Sequence, residues 1–447
     1  PWQIDGHGQN VLTTTTLMER EQPYQLEVEL ARGLIHRLRN RVFIWELLGL
    51  ETPEELREQL RSATQAFALA ATSQQDPAVA TAAANRSLSM AFGTAQALVA
   101  MYAEQAIAGR QRQTPIATLL GVALNPQTPD VKIRRQLVEA CNIVQIPVAW
   151  RAIELQEGKR DWKQTDEQLA WCQKAGLKVT AGPLLRMDDS GVPDWLVLWE
   201  DDFDNLVRLM MDHVRAVVSR YAGRVHLWQV ASRVNTGELL SLEEEQRLYL
   251  VAQVLEIVRQ IDPRTPTAVS FDQPWAEYLV HQDEDLAPLH YADALVRADL
   301  GVSGFGLEIN AGFHPNGSSH RPAFELGRML DQWSVWGLPL MIHLSTASVS
   351  TIDEQASKHI EADLAFGQVE SPSNASGKDA NNFDAQYRWA AEVLPLLLAR
   401  STVQVILWNQ LTDSLPHEFP HAGLFDSADQ AKPTLQLMRD LQKTCLM

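Results

Sequence analysis

Cysteine is scarce in this chain: Cys141, Cys172 and Cys445 are its three thiols among 447 residues. Their scatter excludes a readable disulfide framework or thiolate zinc site, and buried thiols are the expectation. Apolar runs of membrane-spanning length are missing, and nothing at the start looks like a signal peptide. Positive charge is short as well, with 38 Lys and Arg against 56 Asp and Glu and a formal charge of −18. That balance argues against nucleic acid, which is held by neutralising its phosphates. No Gly-rich phosphate turn follows an early apolar run, which lowers a doubly wound dinucleotide-binding sheet. No cofactor, metal, nucleic-acid or membrane partner is therefore expected. The compartment stays open, with a reducing interior mildly preferred.

What is present is globular: 45% hydrophobic and 21% charged residues, with a mean hydropathy of −0.18. The length allows one large domain with a smaller one, or two to three ordinary domains. Residues 1–22 are short of pattern and rich in Thr; the end of an upstream domain is one reading of them, since the chain opens on Pro1. Residues 23–112 read as helices built from Ala, Leu, Glu, Gln and Arg. Leu26, Leu30, Leu34, Leu38, Val42 and Trp45 form a drifting stripe that Gly49 should stop. Thr52-Pro-Glu-Glu55 predicts a capping box opening a second helix to about Thr72. Asp76-Pro77 should cap a third that runs to about Ala108.

From residue 113 the rhythm changes. Eight short apolar runs follow: Leu119–Leu124, Ile143–Trp150, Lys178–Leu185, Val225–Ala231, Thr267–Phe271, Gly304–Ile309, Pro339–Leu344 and Val403–Trp408. The stretches between them are long enough for helices. Buried strands alternating with helices predict an α/β fold, a (β/α)8 TIM barrel over 113–447, preceded by the all-α region. The Ser- and Asn-rich stretch 345–384 is expected as an insertion over the barrel mouth.

Within that barrel Trp228-Gln-Val-Ala-Ser-Arg-Val-Asn235 is similar to the Trp-Asp-Val-Val-Asn-Glu of retaining xylanases. Trp150-Arg-Ala-Ile-Glu154, Gly176-Leu-Lys-Val179, Pro193-Asp-Trp195, Asp262-Pro263, Gly337-Leu-Pro339 and Gly423-Leu-Phe-Asp426 with Lys432-Pro433 fall in matching order. Over about 119–441 the sequence resembles glycoside hydrolase family 10, the endo-1,4-β-xylanases. The resemblance implies two glutamates that cleave the glycosidic bond with retention, their carboxyl groups about 5–5.5 Å apart.

Neither glutamate is where the family would have it. The acid/base position holds Arg233, and a guanidinium keeps its proton at any usable pH. The nucleophile position falls on Leu344, or on His343 with a one-residue slip. Family sugar contacts have changed as well: Ala149 for Lys, Gln145-Ile146 for Glu-Asn, Gly182 for His, Arg186-Met187 for Trp-His, and Glu308-Ile309-Asn310 for Gln-Ser-His. Trp408 survives. Arg186, Arg233, Asp272, Glu308, Asn310, His343 and Trp408 are the candidate ligand-binding residues at strand ends. The plainer alternative is that the arginines pair with Asp272 and Glu308 and fill the mouth.

Three other signals are weaker. His417-Glu-Phe-Pro-His421 matches a zinc motif literally, but Pro420 disrupts the helix that motif needs, so coincidence is the expectation. Asn374-Ala-Ser376 is a formal sequon, read as loop. Most of the 13 Trp residues sit at core-like positions; Trp195, Trp199, Trp275 and Trp408 lie near strand ends.

Three functions fit. The first is a non-hydrolytic xylanase-like barrel, a pseudoenzyme that binds a carbohydrate or other polar ligand or serves as a scaffold. The second is an active glycoside hydrolase using displaced carboxylates, drawn from Glu238, Asp272, Glu308 and Asp413. The third is a structural protein that forms homo-oligomers through its helical region.

Overall fold

Three good helix-forming stretches become three helices at the start of the chain: α1 (Leu26–Leu47), α2 (Glu54–Thr72) and α3 (Pro77–Gln113). These belong to a computed structural model that describes residues 1–237, 239–282, 284–357, 359–364 and 385–446. The stripe on α1 is buried from Leu30 through Trp45, while Leu26 at its start is half-exposed. Between α2 and α3 the contact residues are small. Ala63, Ala70, Ala80, Ala84 and Ala91 are fully buried, and Ser87 donates from Oγ to the Ala63 carbonyl at 2.9 Å. Trp45 stacks on Tyr102 with ring centroids 4.1 Å apart, joining α1 to α3.

Asp76 caps α3 as its position predicts, accepting from the amides of Ala78 and Val79. Thr52 does not cap α2. That helix begins at Glu54 with Pro53 at its cap and no side-chain bond, because the extended backbone at Pro53 supplies the entry instead. The capping box that does form is Glu243 with Gln246, opening the barrel helix Glu244–Ile261. Residues Trp2–Ile4 and Gly8–Asn10 make a small antiparallel hairpin whose Ile4 is buried and whose His7 ring lies 4.9 Å from that of Phe92 on α3. The helical unit comprises Pro1–Thr114, Ser319–Arg328 and Leu364–Arg400. In it the helix Ala385–Ala399 packs along α3, and Arg110 donates to the Leu398 carbonyl. Residues 365–384, including Asn374–Ser376, lie outside the described residues.

The second unit comprises Pro115–Ser318, Met329–Asp363 and Ser401–Met447. All eight apolar runs become parallel strands: β1 (Leu119–Ala123), β2 (Ile143–Ile146), β3 (Lys178–Ala181, continued by Leu185–Arg186), β4 (Leu227–Ser232), β5 (Thr267–Asp272), β6 (Gly304–Ala311), β7 (Leu340–Thr346) and β8 (Val403–Trp408). Each pairs with its sequence neighbours, and β8 returns to β1 with Val405 opposite Leu119. This is a closed (β/α)8 barrel. Alternate residues of a strand share a face, so the interior is built in steps of two. Along β7, Met341 joins an apolar cluster with Ile143, Ala268, Val405 and Leu407. His343 lies one step above it and Ser345 one step above that. Gly306 leaves room at the second level, where a Cβ would stand 2.0 Å from Ser270 Oγ.

Candidate functional site

The second layer of the interior is polar and fully enclosed. His343 Nε2 lies 2.7 Å from Gln145 Oε1; Gln145 Nε2 donates to Gln229 Oε1 at 2.5 Å, and Gln229 Nε2 donates to Ser270 Oγ at 2.8 Å. These four residues come from β7, β2, β4 and β5, so the chain of bonds runs across the barrel. His343 Nδ1 has no hydrogen-bond partner, and burial pushes the imidazole pKa down against the opposing charge of Glu308. A neutral imidazole fits that place. Of the two residues that the sequence offers for the strand-seven position, His343 faces the interior. Leu344, its neighbour on a strand of period two, faces the other way.

Charge collects one level higher, at the C-terminal ends of the strands. Arg233 follows β4 with a left-handed backbone (φ 56°), a conformation that costs a side-chain-bearing residue about 1–2 kcal/mol. The turn sends its guanidinium into the mouth, where its side chain keeps 8% of its exposure. Arg233 Nε lies 3.4 Å from Glu308 Oε2 and 3.8 Å from Asp272 Oδ2. Its Nη1 donates to Glu418 Oε1 at 2.6 Å and Asp188 Oδ2 at 3.1 Å, and its Nη2 to Glu418 Oε2 at 3.0 Å. Arg186, ending the β3 continuation, donates from Nε to Asp188 Oδ2 at 2.7 Å and from Nη2 to Glu418 Oε2 at 2.6 Å. Two guanidinium groups thus face four carboxyl groups.

That imbalance shows in the protonation chemistry. Burial works against every charge here, but the paired groups overcome it. Burial raises the Asp188 pKa, yet Arg186 and Arg233 together hold it well below the ordinary carboxylate range. Glu418 is likewise raised by burial and lowered on balance by Arg233 and Arg186. The pKa of Arg233 is driven above its ordinary value despite burial, by Glu418, Asp272, Asp188 and Glu308. Asp272 is the exception. Burial, with Glu308 and Glu418 nearby, lifts it to about 7 even though Arg233 opposes the shift. Its Oδ1 accepts from the Gln273 amide at 2.9 Å and from Asn310 Nδ2 at 3.2 Å. Asn310 Oδ1 in turn accepts from Ser345 Oγ and Asn409 Nδ2.

The structure therefore brings Arg186, Arg233, Asp272, Glu308 and Asn310 together, with His343 one level below. Trp408 is buried, and its Nε1 donates to the Ala422 carbonyl at 2.7 Å. Asp413 sits in a separate buried pair with Lys432 Nζ at 2.6 Å, and Glu238 lies outside the described residues. Gly182 packs where a side chain cannot go: a Cβ would stand 2.4 Å from the Gln229 carbonyl oxygen.

Two members of the cluster escaped the sequence reading. Asp188 is two residues beyond Arg186, and that proximity was its signal. Glu418 lies inside the His417–His421 run, whose chemistry is different from the motif it matches. No helix forms there; both histidines turn to Asp353, with His417 Nε2 at 3.0 Å and the His421 amide at 2.8 Å from its Oδ2. Among the described residues Asp353, Asp413 and His421 are the one group with ligand atoms close enough for a metal. The Lys432 ammonium already serves Asp413 there, donating also to Ser348 Oγ and the His421 carbonyl, so a cation is in place.

Residues 117–242 match the model of glycosyl hydrolase family 10. Endo-1,4-beta-xylanase C of Paenibacillus barcinonensis is 32% identical over 89 residues, 19% of this chain and 8% of that protein's length. Xylanase 10B from Thermotoga maritima superposes with a TM-score of 0.53 at 15% identity, covering 73% of this chain and 95% of the other. An endoxylanase from a sugarcane soil metagenome gives 0.54 at 15% identity, covering 72% and 97%. The structural likenesses show the fold.

Proposed function

We propose that this xylanase-like barrel, of which residues 117–242 match the model of glycosyl hydrolase family 10, is a non-hydrolytic relative of those enzymes that binds a carbohydrate or other polar ligand, or serves as a scaffold. One observation carries this reading: the buried guanidinium of Arg233 contacts all four carboxyl groups of the mouth. Retaining hydrolysis needs one carboxyl that surrenders a proton and another free to attack carbon. A guanidinium gives up no proton in this range, and each carboxyl it holds is engaged. The interior histidine offers no carboxylate in exchange. Incubation with xylan and aryl xylosides, followed by assay of reducing ends, tests the reading; release no faster than in buffer is expected. Clear turnover that disappears on Glu308→Gln would overturn it.

A glycosidase with displaced carboxylates has one observation in its favour. Asp272, lifted to about 7, stands beside Glu308, and a carboxyl that keeps its proton near neutrality is what a general acid requires. The same assay decides it. Self-association has its own support at the end of α1, where Phe43, Ile44 and Leu47, with Leu48 just beyond, are exposed. Sedimentation over a concentration series tests that property independently.

A further inference from the structure

Glu418 sits in the mouth as a ligand would. Arg233 grips its carboxylate with two nitrogens, at 2.6 and 3.0 Å, and Arg186 adds a third bond at 2.6 Å. Two-pronged guanidinium pairing of this kind is a common means of recognising carboxylates. Yet Glu418 belongs to no strand. It comes from the loop after β8, and its side chain and that of Arg186 are the most exposed of the cluster, at 24% and 32%. The loop is held elsewhere. Asp353 takes His417 and His421, and backbone bonds join His417 N to the Gln355 carbonyl and Ser357 N to the His417 carbonyl. Glu418 makes none of those bonds.

We infer that Arg186 and Arg233 form a carboxylate subsite that Glu418 fills in the resting chain, and that a uronic acid of a bound glycan takes its place when the loop 415–421 lifts. This rests on the carbohydrate-binding reading above. The exchange is neutral in charge: one carboxylate leaves, one enters, and Asp188, Asp272 and Glu308 keep their two arginines. A neutral sugar would leave Arg186 Nη2 and Arg233 Nη2 without the carboxylate oxygen they now bond. A phosphate dianion would add a second charge beside Asp188, so a monoanionic carboxylate suits the subsite best.

Calorimetric titration of the full chain tests this, using xylotriose, xylotriose substituted with one glucuronic acid, and free glucuronate. Glu418→Gln should bind the acidic oligosaccharide about tenfold tighter than the wild type and should favour it over neutral xylotriose. Adding Arg186→Met should abolish the gain. Asp353→Asn, which unlatches the loop and leaves the arginines intact, should also tighten acidic binding; it serves if Glu418→Gln fails to fold. Equal binding of acidic and neutral sugars by these variants overturns the subsite and leaves the carbohydrate reading standing. A gain for glucuronate alone, with no benefit from the xylose chain, keeps the subsite and removes the glycan. No binding of any probe to any variant overturns both.

Discussion

Asp272 and Glu308 stand opposite one another on neighbouring strands, and a single nitrogen of Arg233 reaches toward both. Carboxyl groups so placed would repel if both ionised; one cation between them and a proton on Asp272 near neutrality resolve the conflict.

The Asp272 pKa of about 7 exceeds its ordinary 3.8, so the folded chain retains a proton that the unfolded chain releases. The stability linked to this group is full below about pH 4, declines as pH rises toward 7, and levels off beyond. Asp272→Asn removes that decline. Urea unfolding across this range should show the variant gaining on the wild type by roughly 2 kcal/mol or more.

Of the groups that Arg233 neutralises, Asp272 and Glu308 are almost wholly shielded from bulk water. Arg233→Met should cost about 3–5 kcal/mol, because it strands buried carboxylates. Arg233→Glu should be worse in thermal unfolding and should release no reducing ends from xylan. A gain of xylanase activity in that variant would show that the rest of the mouth is still competent.

Gln145 is the hub of the enclosed polar layer. Gln145→Leu deprives both His343 Nε2 and Gln229 Oε1, and each orphaned buried group costs about 1–3 kcal/mol. A fall of roughly 2–4 kcal/mol in chemical unfolding is expected.

Gly182 has a positive φ of 144° and lies against the backbone of β4. Gly182→Ala should destabilise by about 1–3 kcal/mol, and Gly182→His should leave no folded protein on gel filtration.

Phe43→Glu with Leu47→Glu places charge on the exposed face of α1. If that face joins two copies, the pair should abolish any concentration-dependent association in sedimentation while the thermal midpoint stays within a few degrees.

Much of the fold was legible because barrel strands are buried on both sides and so read as unbroken apolar runs. Val403–Trp408 was found to the residue. Helix ends were less secure. Asp76 capped as expected, while Thr52 did not, since a short capping signature also suits an extended entry. At the mouth, Arg233 paired with Asp272 and Glu308 was weighed from their strand-end positions alone. Glu418 was hidden because it lies 185 residues from Arg233 in a loop, where no periodicity fixes the direction of a side chain.

The seam between β1 and β8 bears on how the chain acquires its structure. Leu119 pairs with Val405, so no closed barrel exists until nearly the whole sequence is available. During synthesis the first strand keeps an open edge while almost three hundred residues follow, and such late, distant pairing slows folding and leaves edges prone to aggregation. A ribosome-bound fragment ending before Val403 should be cut readily by protease within residues 115–318, and release of the full chain should bring protection across that unit in one step.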